Sequence, residues 1–102
     1  MTMIVVLFNL KSESKQAEYE QWARTTDIPT AGGLPSVDNF EVLRSVGILG
    51  SDAKPPYKYI ELLKVNDMEK LTQDIATETM QRVAEEFRGF ADNPLFILTE
   101  NL

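Results

Sequence analysis

Histidine and cysteine are both absent from the 102 residues, and each absence removes a class of chemistry. Without imidazole there is no Ser-His-Asp arrangement and no side chain that titrates near neutrality unless its surroundings shift it. Without thiol there is no thiolate nucleophile, and with both gone zinc, copper and haem iron lose their preferred ligands. A Ser-Lys pair would remain for acyl transfer, but nothing in the chain supports one. No D-x-D-x-D-G loop offers an oxygen-only cation site, so neither a metal nor a cofactor is expected. Positive charge is also scarce: ten Lys and Arg stand against sixteen Asp and Glu, a net charge of −6. That balance repels phosphate backbones and argues against a nucleic-acid partner. The longest apolar run, Met3 to Phe8, falls far short of the ~20 residues that span a bilayer and has no basic leader. The expectation is a soluble, cytoplasmic chain without a membrane partner, and the lack of cysteine agrees with a reducing compartment.

What is present suits one small domain, residues 1–102, with 43% hydrophobic content for a single core. Met3 to Leu10 (MIVVLFNL) is β-branched and apolar on both sides and predicts a first strand. Ser14 to Arg24 predicts a helix, with Tyr19, Trp22 and Ala23 on one stripe. Two prolines and Gly32-Gly33 then punctuate Thr25 to Pro35, which reads as a long loop. Val37 to Val46 and Tyr57 to Val65 predict strands two and three, separated by the glycine- and proline-rich residues 47–56, a loop expected beside the mouth of a site. A capping box at Asn66 and Glu69 opens a second helical region, broken near Ala76 and recapped by Thr77. Asn93-Pro94 ends it, and Leu95 to Thr99 predicts strand four. The order β-α-β-β-α-β folds into an α+β, ferredoxin-like protomer: a four-stranded antiparallel sheet with its helices on one face. Strands one and four are apolar on both sides, so the helix-free face needs a second layer, most simply a second copy of the chain.

The segments WARTTDIPTAGGLPSVDNFEV, YKYIELLKVNDMEKL and EEFRGFADNP resemble the RedY-like family over nearly the whole chain. That resemblance implies a homodimeric α/β barrel and a place in making a pyrrolic or aromatic natural product of the prodiginine type. It also implies a flat apolar ligand enclosed in a lumen. A family mechanism that used histidine could not operate in this chain.

Alternation on strand three places Tyr57, Tyr59 and Glu61 on one side and Ile60 and Leu62 on the other. If the latter pack under the helices, the tyrosines and the carboxylate face the lumen. Glu61 and Tyr59 are then the candidate catalytic pair, because desolvation turns a carboxylate into a proton carrier near neutral pH. Structural pairing with an arginine across a dimer interface would gather the same groups. Candidate ligand-binding residues are Tyr57, Asn9, which shares the parity of Met3 and Val5, and Glu41, favoured over Arg44 because Phe40 and Val42 look core-facing. Trp22 reads as core or interface, and Arg24 and Asp27 as a loop anchor or one end of a pocket. The leading function is cofactor-independent cyclisation, dehydration or isomerisation by proton transfer. A carrier or chaperone serving a pathway enzyme and a cofactor-free monooxygenase remain open.

Overall fold

The computed structural model describes residues 2–102. Strands β1 (Thr2–Leu10), β2 (Val37–Arg44), β3 (Tyr59–Val65) and β4 (Ala91–Glu100) form one sheet of order β2-β3-β1-β4. Every neighbouring pair is antiparallel. The helical segments are α1 (Gln16–Trp22), α2 (Ile28–Ala31), α3 (Met68–Asp74) and α4 (Glu78–Phe90). This is the α+β, ferredoxin-like fold expected from the element order.

Packing on the helix side is aromatic. Phe8, at the end of β1, meets Tyr19 of α1 edge-on at 5.6 Å, Phe87 of α4 at 5.0 Å and Tyr59 of β3 in a stack at 5.5 Å. Such pairs add to plain area burial because ring edges and faces carry opposite partial charge. Ile4 and Val6 precede Phe8 on the same side and are buried with it. The helix ends are held locally. The Asp67 carboxylate accepts from the Lys70 amide at 3.0 Å and the Thr77 hydroxyl from the Met80 amide at 3.3 Å. The break near Ala76 and the Thr77 cap agree with the sequence, whereas Asp67 takes the capping position expected of Asn66.

Three expectations are corrected. First, Thr25–Pro35 is not a long loop, because the chain stays helical to Ala31 through a π-helical turn at Ala23–Asp27. In that turn the Ile28 amide bonds back five residues to the Ala23 carbonyl. The wider ladder meets Pro29 where the missing N–H and the ring of proline would otherwise break an α-helix. Second, β4 begins at Ala91, before Pro94. Leu7 pairs with Leu95 but Asn9 with Asp92, so β4 carries an extra residue, and Asn93 absorbs the bulge at φ 46°. Proline is tolerated there because β4 is an edge strand. Third, β3 is turned over. Val6 pairs with Glu61 and Phe8 with Tyr59, which puts both β3 side chains under the helices and leaves Ile60 and Leu62 on the open face.

The open face is apolar, as anticipated. Met3, Val5, Leu7, Ile60 and Leu62 are half-buried, and Leu43, Leu95 and Ile97 toward the edges are exposed. On the covered side, Phe96 and Leu98 of β4 extend past the helices and are also exposed.

Phe8 joins β1, β3, α1 and α4, so its removal tests the whole arrangement. Phe8→Ala should destabilise the fold by about 3–5 kcal/mol in urea unfolding followed by Trp22 fluorescence. A loss under about 1 kcal/mol would mean that the aromatic core is not the joint described.

Candidate functional site

The π turn and strand β3 bring two carboxyl groups together in the aromatic core. A π turn holds one more residue than an α-helical turn, which shifts the faces of the helix beyond it. Ala23 and Asp27 are both buried there, while Arg24 between them stays exposed. Thr25 donates to the Gln21 carbonyl at 2.8 Å, a back-bond of the kind that bends helices. Glu61 comes from β3, and both acids are only 6% exposed.

Burial pushes the Asp27 carboxyl up to about 7. Burial, then the charge of Asp27, pushes Glu61 up to about 8, partly offset by the Tyr19 hydroxyl. Tyr19 is fully buried, and its phenol is raised far above the ordinary range by burial and by the neighbouring acids. Tyr19 Oη and Glu61 Oε2 make no hydrogen bond of regular geometry, although the Tyr19 hydroxyl lies close enough to Glu61 to favour its ionised form. Buried polar groups so poorly engaged are costly, which makes this cluster the candidate locus.

A second, differently tuned carboxylate lies one layer outward. Glu20 takes a hydrogen bond from the Tyr59 hydroxyl at 2.7 Å and two from one Arg44 nitrogen at 2.7 and 2.8 Å, with Arg24 at 3.5 Å. Burial works against the ionised form of Glu20. The bonds from Arg44 and Tyr59 and the two arginine charges outweigh it and hold its pKa below the usual value. Tyr59 is raised by burial and by donating to Glu20, so its phenol stays protonated.

Glu20, Arg24, Arg44 and Tyr59 rim a pocket of about 200 Å³ whose apolar walls are Ala23, Ile28, Val42 and Leu43. The two buried acids adjoin these walls. Asp27 follows Ala23 along the helix, Glu61 is the register partner of Val42, and Tyr59 and Glu61 are alternate residues on one face of β3. A larger cleft of about 810 Å³ lies at the end of the sheet, between Asn9, Glu13, Lys54, Pro56 and Lys58. It contains none of the groups with shifted pKa, so the smaller pocket is the better candidate for chemistry. The segment 47–56 borders this larger cleft through Lys54, Pro55 and Pro56.

Of the residues expected from sequence, Tyr59 and Arg24 line the small pocket, while Asp27 and Glu61 are buried behind its walls, on the helix side of the sheet and not in a lumen between two sheets. The other four lie elsewhere. Asn9 faces away from Glu61 and ties down the chain before β3, donating to the Pro56 carbonyl at 3.0 Å and accepting from the Lys58 amide at 2.8 Å. Trp22 packs on Tyr19 and Phe90 and donates to Glu86 at 3.1 Å. Glu41 lies on the open face, as expected, and accepts from Asn39 at 2.7 Å. Tyr57 precedes β3, and its carbonyl accepts from the Ser45 hydroxyl. Tyr19, Glu20 and Arg44 are the functional candidates that sequence reasoning missed. Glu20 and Arg24 at helical spacing were the available signal.

With this geometry in hand, comparison with known proteins is informative. A family model described as REDY-like protein HapK matches residues 2–102. The chain belongs to this HapK family. HapK from Hahella chejuensis is 28% identical, with a TM-score of 0.80 over 100% of this chain and 93% of that one. A dabb family protein with a ferredoxin-like fold from Mesorhizobium loti is 20% identical, with a TM-score of 0.73 over 99% of this chain and 96% of that one. SnoaB from Streptomyces nogalater, described as a cofactor-independent oxygenase, is 16% identical, with a TM-score of 0.74 over 99% of this chain and 92% of that one. The last two likenesses concern the fold. No curated protein matches significantly.

The raised acids make stability depend on pH. The unfolded chain releases their protons near the ordinary values of 3.8 and 4.5, whereas the folded chain keeps them until about 7 and about 8. Their contribution is therefore fully present below the ordinary values and is lost as pH rises through the folded ones. Melting temperature should fall from pH 5 to pH 8.5, and the Asp27→Asn, Glu61→Gln double variant should flatten that slope. An equal slope in wild type and variant would remove the claim that these acids are protonated when buried.

Proposed function

We propose that this HapK-family chain is a cofactor-independent enzyme that moves protons on a small aromatic or pyrrolic intermediate of a prodiginine-type pathway. The buried Asp27 and Glu61, packed behind the walls of the small pocket, carry this reading. The two acids titrate in succession, at about 7 and about 8. Near neutral pH the coupled pair is partly ionised, so it offers both a base and an acid. One carboxylate takes a proton from the substrate, and the other, still protonated, returns one to a carbonyl or departing hydroxyl. That sequence suits tautomerisation, or ring closure with loss of water. Tyr19, which stays protonated beside Glu61, donates to oxygen that gains charge during the step. Tyr59 is committed to Glu20 and acts as a wall and a positioning group.

A second reading draws on the SnoaB likeness. If the same base deprotonated an electron-rich phenol, the resulting anion could reduce molecular oxygen directly, as a cofactor-independent oxygenase requires. Oxygen uptake with a hydroxylated aromatic substrate separates this reading from proton transfer alone.

Complementation provides the main test. In a prodiginine producer lacking its HapK-family gene, this chain should restore pigment, whereas Glu61→Gln and Asp27→Asn should each lower the rate about 10²-fold or more. Full rescue by both variants would favour a carrier or a helper of a pathway enzyme, and unchanged pigment in the deletion strain would remove the pathway assignment. The open face supports a homodimer, so sedimentation at micromolar concentration should give about twice the 11.5 kDa chain mass. Leu62→Lys should shift the chain toward monomer while leaving the helix-side pocket intact.

A further inference from the structure

The rim of the small pocket carries more positive than negative charge, which is unexpected in a chain of net charge −6. Two guanidinium groups converge on the single carboxylate of Glu20. Arg44 uses one terminal nitrogen for both Glu20 oxygens, leaving its other N–H donors without a protein acceptor among the described residues. Arg24 stands 3.5 Å from Glu20, and its side chain is 70% exposed. Neither arginine pairs with another acid among the described residues. Below them the walls are apolar, and the volume of about 200 Å³ lies below the roughly 300–1,000 Å³ of pockets that enclose drug-sized ligands.

The geometry points to a single-ring carboxylic acid as the substrate class of this pocket. The ring lies between Ala23, Ile28 and Val42, and the carboxylate bridges Arg24 and Arg44 at the rim. Arginine suits this role because its planar fork of donors matches a carboxylate. Glu20 then serves two purposes. It holds Arg44 in place while the pocket is empty, and it competes with the incoming anion for the same donors. The ring sits with its far edge toward Asp27 and Glu61. The inference rests on the proposed proton-transfer site for its orientation, but anion recognition at the rim can be measured without catalysis.

Benzoate and benzamide, which have nearly the same shape and differ in charge, are suitable probes. Titration of the whole protein by NMR should show benzoate perturbing the Ala23, Ile28 and Val42 signals, with benzamide at least about tenfold weaker. Arg44→Gln and Arg24→Gln should each weaken benzoate about tenfold and leave benzamide unchanged, with the folded NMR spectrum retained. Glu20→Gln gives the sharper test: relieved of its competitor, the rim should bind benzoate several-fold tighter. Equal affinity for the two probes, or weaker benzoate binding in Glu20→Gln, would overturn the inference. Glu61→Gln should bind benzoate within about twofold of wild type, so loss of rescue by Glu61→Gln together with charge-blind probe binding would overturn the anion site and leave the catalytic reading standing.

Discussion

Two carboxyl groups share an aromatic core with no cationic partner among the described residues, and much of the arrangement depends on accommodating them. A carboxylate with no countercharge is strongly disfavoured by burial, so each keeps its proton to higher pH than usual. The rings of Phe8, Tyr19 and Tyr59 supply the apolar area that makes this region a core at all. Glu61 and Asp27 therefore occupy positions where a purely structural protein would place leucine or valine. Their retention in a small domain, where core area is limited, favours a chemical role over a packing one.

Glu20 shows how strongly surroundings decide the behaviour of one functional group. It lies less than two helical turns before Asp27, yet three donating groups hold its pKa down while burial pushes that of Asp27 up. The tyrosines divide similarly. Tyr59 donates to Glu20 in a hydrogen bond of regular geometry, whereas Tyr19, in contact with the same rings, lies against the buried Glu61 without one. The site thus has an outer layer held by hydrogen bonds and ion pairs and a buried inner layer that is poorly satisfied. Preorganisation of this kind is what the proposed proton transfer, run without histidine, requires of ordinary side chains.

The fold was legible in the sequence because its signals are local: β-branched runs, the Thr77 cap, and polar segments between apolar ones. The site was only partly legible. Glu61, Tyr59, Arg24 and Asp27 stood out as polar residues in apolar or constrained surroundings, but the facing of β3 did not. YIELL is apolar enough on both sides that alternation alone leaves two solutions, and the pairing of Val6 with Glu61 selects between them. Alternation favours Glu41 over Arg44 only for a site on the helix-free face; Arg44 shares the covered side with Phe40 and Val42. Pro29 suggested a loop, since proline inside a helix is normally disruptive. The i to i−5 bond that accommodates it is a property of the folded backbone and has no residue signature of its own.

That turn has a further meaning when viewed as a length change. A π turn is equivalent to one residue inserted into a regular helix, and each residue advances the helical face by ~100°. A relative lacking one residue between Ala23 and Asp27 would keep the same fold and the same sheet, yet its equivalent of Asp27 would leave the core or its equivalent of Ala23 would leave the wall. Within this architecture, a single-codon deletion is enough to separate a chain with two buried acids from a chain with one.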